Sequence, residues 1–303
     1  MKNYLGIDIG GSKLLIGILD ESGNILEKQH SLLPYPITET ILLQKIEEIV
    51  SPLLKRHLPI AGGVAIPGLA NGSDGIWQNA SFSKIENFPI ASILQAKFGI
   101  PFYIENDANI CAIGEHEYGV AGKEENFIWM TISNGIGAGI FINGQLYTGS
   151  YNNAGELGHC VIVPNGRKCS CGNHGCLEAY ACGRAIAQRY YEASGENLSA
   201  KKIAELGYSG NQSALEILSE TGYYIGTLLG SSYNILNPSL IILGGGVANS
   251  FSLLEDGIKK GIQQYIYHDA NPNPKIIPTP LGYEAALIGS AAHAKQKYTI
   301  SIN

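Results

Sequence analysis

No apolar run in this chain of 303 residues approaches the roughly 18 consecutive residues of a membrane-spanning helix. The opening stretch MKNYLGIDIGG has one lysine, and Asp8 and the glycines interrupt its apolar residues, so a secretory signal pattern is missing. Clusters of Lys and Arg are missing too. The 20 basic residues stand against 26 acidic ones, and the net charge of −6 argues against a nucleic-acid surface. There is no collagen-like period and no low-complexity tract. These absences predict a cytoplasmic protein without nucleic-acid or membrane partners. In a reducing compartment, clustered cysteines among the 6 present read as metal ligands before disulfides.

What the chain has in excess is glycine, with 38 residues against a usual share of about 7%. An apolar fraction of 45%, a charged fraction of 15% and a length of 303 fit two packed domains. Residues 3–9, 14–19 and 25–29 read as three strands of a meander, turned at Gly10-Gly11 and DESGN (20–24). Ile41, Leu42, Ile46, Ile49, Val50, Leu53 and Leu54 predict a helix over 39–57, kinked or divided at Pro52. GGVAIPG (62–68) reads as a buried strand ending at a Pro-Gly turn, and 102–119 as a short strand followed by a helix opening near Asp107. The pattern restarts at 127, where FIWMTIS and AGIFING form a second glycine-linked hairpin with GQLYTG beyond it. Residues 153–176 show no period, and helices are predicted over 177–194 and 212–236. A strand, a glycine turn and a helix follow from 239, then a closing helix over 284–296. Strands then helices, twice over, predict a duplicated α/β architecture.

Three glycine corners carry the first chemical signal. Backbone N–H groups at a glycine turn approach an anion without side-chain obstruction. Gly10 and Gly11 form one such corner, Gly135 another, and Gly244, Gly245 and Gly246 of LGGGVANS offer a third for a nucleoside. Ser12, Lys13, Ser133 and Asn134 supply donors for phosphate oxygens, and Asp8 an oxygen ligand for Mg²⁺, held through water. Either hairpin alone reads as an ordinary β-turn; the three corners together favour nucleotide binding. In ENDAN (105–109), spacing alone makes Asp107 a helix N-cap. Glu105 faces away from the position of Asn106 and reads as structural. In ELGHCVIVPNGRKCSCGNHGC (156–176), Cys169, Cys171 and Cys176 are spaced to converge on one ion through turns at Gly172 and Gly175. His159 and His174 compete as the fourth ligand on spacing. Three thiolates and an imidazole fill a tetrahedral zinc site and leave no place for water, which makes the metal structural. Redox-active thiols or ordinary buried cysteines are the alternatives. Cys111, Cys160 and Cys182 read as small core residues.

DIGGSK, IPG, ENDAN, SNGIGAGI, ELGH, CSCGNHGCLE and LGGGV occur in an order that resembles the ROK family of sugar kinases and sugar-responsive repressors, from about residue 4 to 294. The resemblance implies an α/β, two-domain actin-like ATPase (ribonuclease H-like) fold with a cleft between the domains. It sets the lobes at 1–118 with 284–303, and at 119–283. It implies two hairpins gripping ATP phosphates from both sides, Asp107 as the base that takes a sugar hydroxyl's proton, and His159 as the fourth zinc ligand. It places Gly68, Asn79, Asn106, Glu156, His159 and Glu178 at the sugar. A first-turn acid favoured by the helix dipole is the alternative for Glu178. One departure stands out: family kinases often have Gly-Thr-Gly in the second phosphate loop, where this chain has Asn134.

The activity implied is ATP-dependent phosphorylation of a hexose at C6, with glucose the default and N-acetylmannosamine, N-acetylglucosamine and fructose as alternatives. A sugar-sensing regulator without catalysis is the alternative of another class. The family's repressors carry an N-terminal helix-turn-helix, for which a first hairpin at residue 8 is expected to leave no room. The resemblance also implies a homodimer, although Gly222, Gly226 and Gly230, a face without side chains, serve equally for packing inside one subunit.

Overall fold

The computed structural model describes residues 2–80, 83 and 85–302. In chain order, the elements are β1 (Asn3–Ile9), β2 (Lys13–Asp20), β3 (Ile25–Leu32), α1 (Glu39–His57), β4 (Ala61–Ile66), β5 (Leu69–Asn71), β6 (Ile76–Asn79), β7 (Glu86–Phe88), α2 (Ile90–Phe98), β8 (Phe102–Asn106) and α3 (Asp107–Tyr118). After them come β9 (Phe127–Ile132), β10 (Ile136–Ile142), β11 (Gln145–Leu146), α4 (Glu178–Ala181), α5 (Gly183–Ser194), α6 (Ala200–Tyr208), α7 (Gln212–Leu236), β12 (Leu240–Gly244), α8 (Phe251–Tyr265), β13 (Ile276–Pro278) and α9 (Ala285–Ile302). The chain divides into two compact units: Met1–Lys123 with Leu146–Ala154 and Pro280–Asn303, and Glu124–Gln145 with Gly155–Thr279. The second unit thus begins a few residues beyond 119, and residues 146–154 group with the first.

The first unit is built on a sheet in the order β3-β2-β1-β4-β8. The hairpin strands pair antiparallel, while β1, β4 and β8 run parallel. Parallel strands need covering on both faces, which explains why β1 and β4 read as almost continuous apolar runs. On one side α1 buries Leu42, Ile46, Ile49, Val50 and Leu53. Thr38 caps this helix, accepting from the Ile41 N–H at 3.5 Å. The helix runs unbroken through Pro52, contrary to a division there. Pro52 is exposed, so the carbonyl that loses its donor reaches water. A small antiparallel sheet, β5-β6-β7, follows β4.

The second unit repeats the order with β11-β10-β9-β12-β13. β9 and β10 form an antiparallel hairpin, and β9, β12 and β13 run parallel. The duplicated architecture is therefore present. Its largest helix pair meets through glycine: a Cβ at Gly222 would lie 2.1 Å from the Leu254 carbonyl oxygen, and one at Gly226 2.2 Å from that of Ile258. Gly257 and Gly261 of α8 make the reciprocal approach to α7. That glycine face is used inside the subunit. The helix expected over 177–194 is two helices, because Cys182 is extended (φ −73°, ψ 164°) and starts α5 afresh. Among the described residues, no helix is long and apolar enough to cross a membrane.

Candidate functional site

In the first unit, the candidate residues gather at the C-terminal ends of the parallel strands. Asp8 lies near the end of β1, beside Ala65 of β4. Burial, and then the charge of Asp107, push its carboxyl up to about 7. The first hairpin is closed by the Gly10 N–H donating to the Lys13 carbonyl at 2.8 Å. That donor is committed, while Gly11, Ser12 and Lys13 are exposed at the tip. The Lys13 ammonium stands 5.8 Å from the centre of the Tyr283 ring.

Asp107 is not the cap of α3. Asn106 fills that role: its side-chain oxygen accepts from the N–H groups of Ala108 (2.9 Å) and Asn109 (3.4 Å). Asp107 becomes the first helical residue, where a carboxylate is stabilised by the dipole. Asn106 Nδ2 donates to the Gly68 carbonyl at 2.9 Å. Gly68 (φ +80°) lies against Asn79, whose carbonyl oxygen would be 2.3 Å from any Cβ at that position. Gly68, Asn79 and Asn106 are thus brought together, and both oxygen lone pairs of Asn106 are spent on the backbone. Glu105 is buried, accepting from the Asn106 N–H at 2.8 Å and from Asn109 Nδ2 at 3.0 Å, and burial raises its pKa. It is a structural residue.

In the second unit, the tip of the β9–β10 hairpin is locked from below. The Ser133 N–H donates to the Gly135 carbonyl at 2.9 Å, and the Gly183 N–H donates to the Ser133 carbonyl at 2.7 Å. Arg184 Nε donates to the Asn134 carbonyl at 3.1 Å. A cavity of about 660 Å³ opens beside this tip. Ser133, Asn134, Arg184 and Gly246 line it, with Tyr208 of α6 and Asn249 after β12. Gly246 leaves it open, with nothing within 4 Å of a Cβ. Gly244 packs on Trp129, and Gly245 (φ +86°) lies against the Ile132 carbonyl. The part played by α6 and by Arg184 had no signal in the sequence.

Glu178 is buried. One of its carboxylate oxygens accepts from the Ile136 N–H at 3.0 Å, and the other from the Ser170 hydroxyl at 3.2 Å. Both therefore tie the second hairpin to the cysteine-rich segment. Glu156 is exposed, its carboxylate 3.9 Å from His159 Nε2.

The ligating atoms of His159, Cys169, Cys171 and Cys176 all lie within 4.8 Å of one another. Cys169 Sγ is 3.6 Å from His159 Nδ1, and Cys171 Sγ is 3.7 Å from Cys176 Sγ. Bonds of about 2.3 Å to sulfur and about 2.0 Å to nitrogen, at tetrahedral angles, give edges of about that length. The four residues therefore fit zinc. His174 is exposed and outside the cluster. Turns build the cradle: the Cys169 N–H donates to the Asn173 carbonyl, and the Gly175 N–H to that of Arg167. The Asn173 N–H lowers the pKa of Cys171, whereas burial pushes Cys176 up to about 12. A bound cation would reverse the second effect. Of the remaining cysteines, Cys111 and Cys182 are buried as expected. Cys160 is exposed: it follows the turn carrying His159, which leaves the core after Gly158.

The repeated five-strand sheet with a hairpin at each start is the actin-like, ribonuclease-H-like ATPase fold. The chain belongs to the ROK family, whose model matches residues 4–297. It is similar to a glucokinase of Streptomyces coelicolor, at 30% identity over 96% of this chain and 97% of that protein. It is also similar to the xylose repressor of Bacillus spizizenii, at 32% identity over 95% of this chain and 76% of the repressor. Among solved structures, a ROK family glucokinase from Streptomyces griseus in complex with glucose and AMPPNP superposes with a TM-score of 0.86. It is 29% identical, over 97% of this chain and 99% of that one.

Proposed function

We propose that this protein is an ATP-dependent sugar kinase that phosphorylates a hexose, glucose by default, at the C6 hydroxyl. The observation that carries the reading is the Asp8–Asp107 pair: two carboxylates close enough that the charge of one raises the pKa of the other. Such a pair suits a site that handles both a cation and a proton. Asp107 accepts the proton of the attacking hydroxyl as its oxygen bonds to the γ-phosphorus and the bond to the β-phosphate oxygen breaks. Asp8 would hold Mg²⁺, which neutralises phosphate charge when bound. Gly11, Ser12 and Lys13 in the first unit and Ser133, Asn134 and Gly135 in the second donate to phosphate oxygens, with the nucleoside beside Gly246.

Asn106 keeps one amide hydrogen for a sugar oxygen, and Gly68 and Asn79 border the ring. Glu156, His159 and Glu178 serve the sugar hydroxyls, with zinc fixing the segment that bears them. His159 would bind zinc through Nδ1 and keep Nε2 for substrate. N-acetylmannosamine, N-acetylglucosamine and fructose stay open as substrates, and we assign the chain to the cytoplasm and to a homodimer.

The likeness to a xylose repressor supports a second reading, a sugar-sensing regulator without catalysis. Incubating the purified protein with ATP, Mg²⁺ and separate hexoses and N-acetylhexosamines distinguishes the two. A kinase yields ADP and sugar phosphate in equal amounts with at least one sugar. Saturable sugar binding with no transfer would replace the kinase by the sensor.

A further inference from the structure

Arg184 has no part in the reading above, yet its position gives it one. It is the second residue of α5, directly after the Gly183 N–H that holds the Ser133 carbonyl. Its Nε is committed to the Asn134 carbonyl at 3.1 Å, which fixes the guanidinium at the tip of the second hairpin. Its side chain is 66% exposed, and it lines the 660 Å³ cavity together with Ser133, Asn134 and Gly246. Glu178 is the nearest carboxylate, with Oε1 3.6 Å from an Arg184 terminal nitrogen, longer than a hydrogen bond. Glu178 is thus a loose ion-pair partner, its two oxygens also accepting from Ile136 and Ser170. The guanidinium is therefore oriented by the Asn134 carbonyl and loosely paired with Glu178, and its exposed terminal N–H groups can donate to an anion beside the cavity.

We infer that Arg184 binds the phosphate chain of a nucleotide whose base and ribose occupy this cavity. The inference rests on the kinase reading and adds a residue to it. A guanidinium suits the task because its planar fork donates two parallel hydrogen bonds to phosphate oxygens. It also bears on the departure at Asn134. An amide there donates one neutral hydrogen bond, and the arginine beneath it adds the positive charge that the loop itself does not carry.

The test is isothermal titration of the full-length protein with Mg²⁺-ADP and, separately, with adenosine, for wild type, Arg184→Gln and Arg184→Lys. Circular dichroism melting establishes that each variant is folded. Arg184→Gln should bind ADP about tenfold more weakly and adenosine within twofold of wild type. Arg184→Lys should recover part of the ADP affinity, since it keeps the charge and loses the fork. The ATP KM of a sugar-phosphorylating preparation should rise in the same order, with kcat changed less. Unchanged ADP affinity in Arg184→Gln overturns the inference, as does an equal loss for ADP and adenosine, which would mean that the residue only props the hairpin. A wild-type protein that binds neither ligand overturns the kinase reading itself, so the two failures are separable.

Discussion

At the scale of single residues, the proposed chemistry turns on Asp8 and Asp107. Asp8 has its pKa raised to about 7, by burial first and the Asp107 charge second. In the unfolded chain it titrates near 3.8. The folded state therefore holds this proton more tightly. The stability contributed by the group is complete below about pH 4 and is lost as pH rises through 7. Asp8→Asn stays neutral and escapes that loss. Without magnesium, the variant should match wild type near pH 4 and exceed it at pH 8 by on the order of 2–4 kcal/mol in urea unfolding. Parallel stability–pH curves for the two proteins would remove Asp8 as the strained carboxylate. At this scale the sequence was legible where chemistry is local. The three cysteines of 169–176 lie within a few residues of one another, and turn glycines bring them together. It was not legible for Arg184, whose partner carbonyl at Asn134 is fifty positions away and is met only once α5 docks under the hairpin.

Elements explain what holds those residues in place. Asn106 rather than Asp107 caps α3, which puts Asp107 at the first helical position, where one carboxylate oxygen accepts from the Ala108 N–H at 2.9 Å, while the asparagine ties α3 to Gly68. Local pattern could not separate two adjacent residues that both favour the cap. The cysteine-rich segment has little regular structure beyond a short turn at Leu157–His159 and isolated bridges at Val161–Cys176 and Lys168–His174. Backbone hydrogen bonds shape its turns, and a bound ion at the four ligands would add to its order. Elemental analysis should find one zinc per chain. Chelation, or Cys171→Ser, should lower the melting temperature by several degrees and open residues 160–176 to proteolysis. A metal-free protein with unchanged melting and protease resistance would show that backbone hydrogen bonds suffice. The short strands β5, β6, β7 and β13, and helices α2 and α6, escaped the sequence because each is too short to establish a period; tertiary packing decides them.

Across the whole molecule, one sheet order occurs twice, and the proposed chemistry is divided between the two copies. The first unit carries the carboxylates, Asp8 and Asp107; the second carries the 660 Å³ cavity and, in and beside the His/Cys cluster, Glu156, His159 and Glu178. The duplication was readable because hairpin, glycine turn and parallel strand recur in the same order along the chain. The cavity was not, because its lining comes from stretches separated by more than a hundred residues. Of the two readings, only the kinase requires a proton acceptor. The most direct measurement is therefore the rate of phosphoryl transfer to sugar by Asp107→Asn against wild type, with sugar affinity measured alongside. The account predicts a loss of about a thousandfold in kcat with sugar affinity within twofold of wild type. Turnover at the wild-type rate by the folded variant would contradict it.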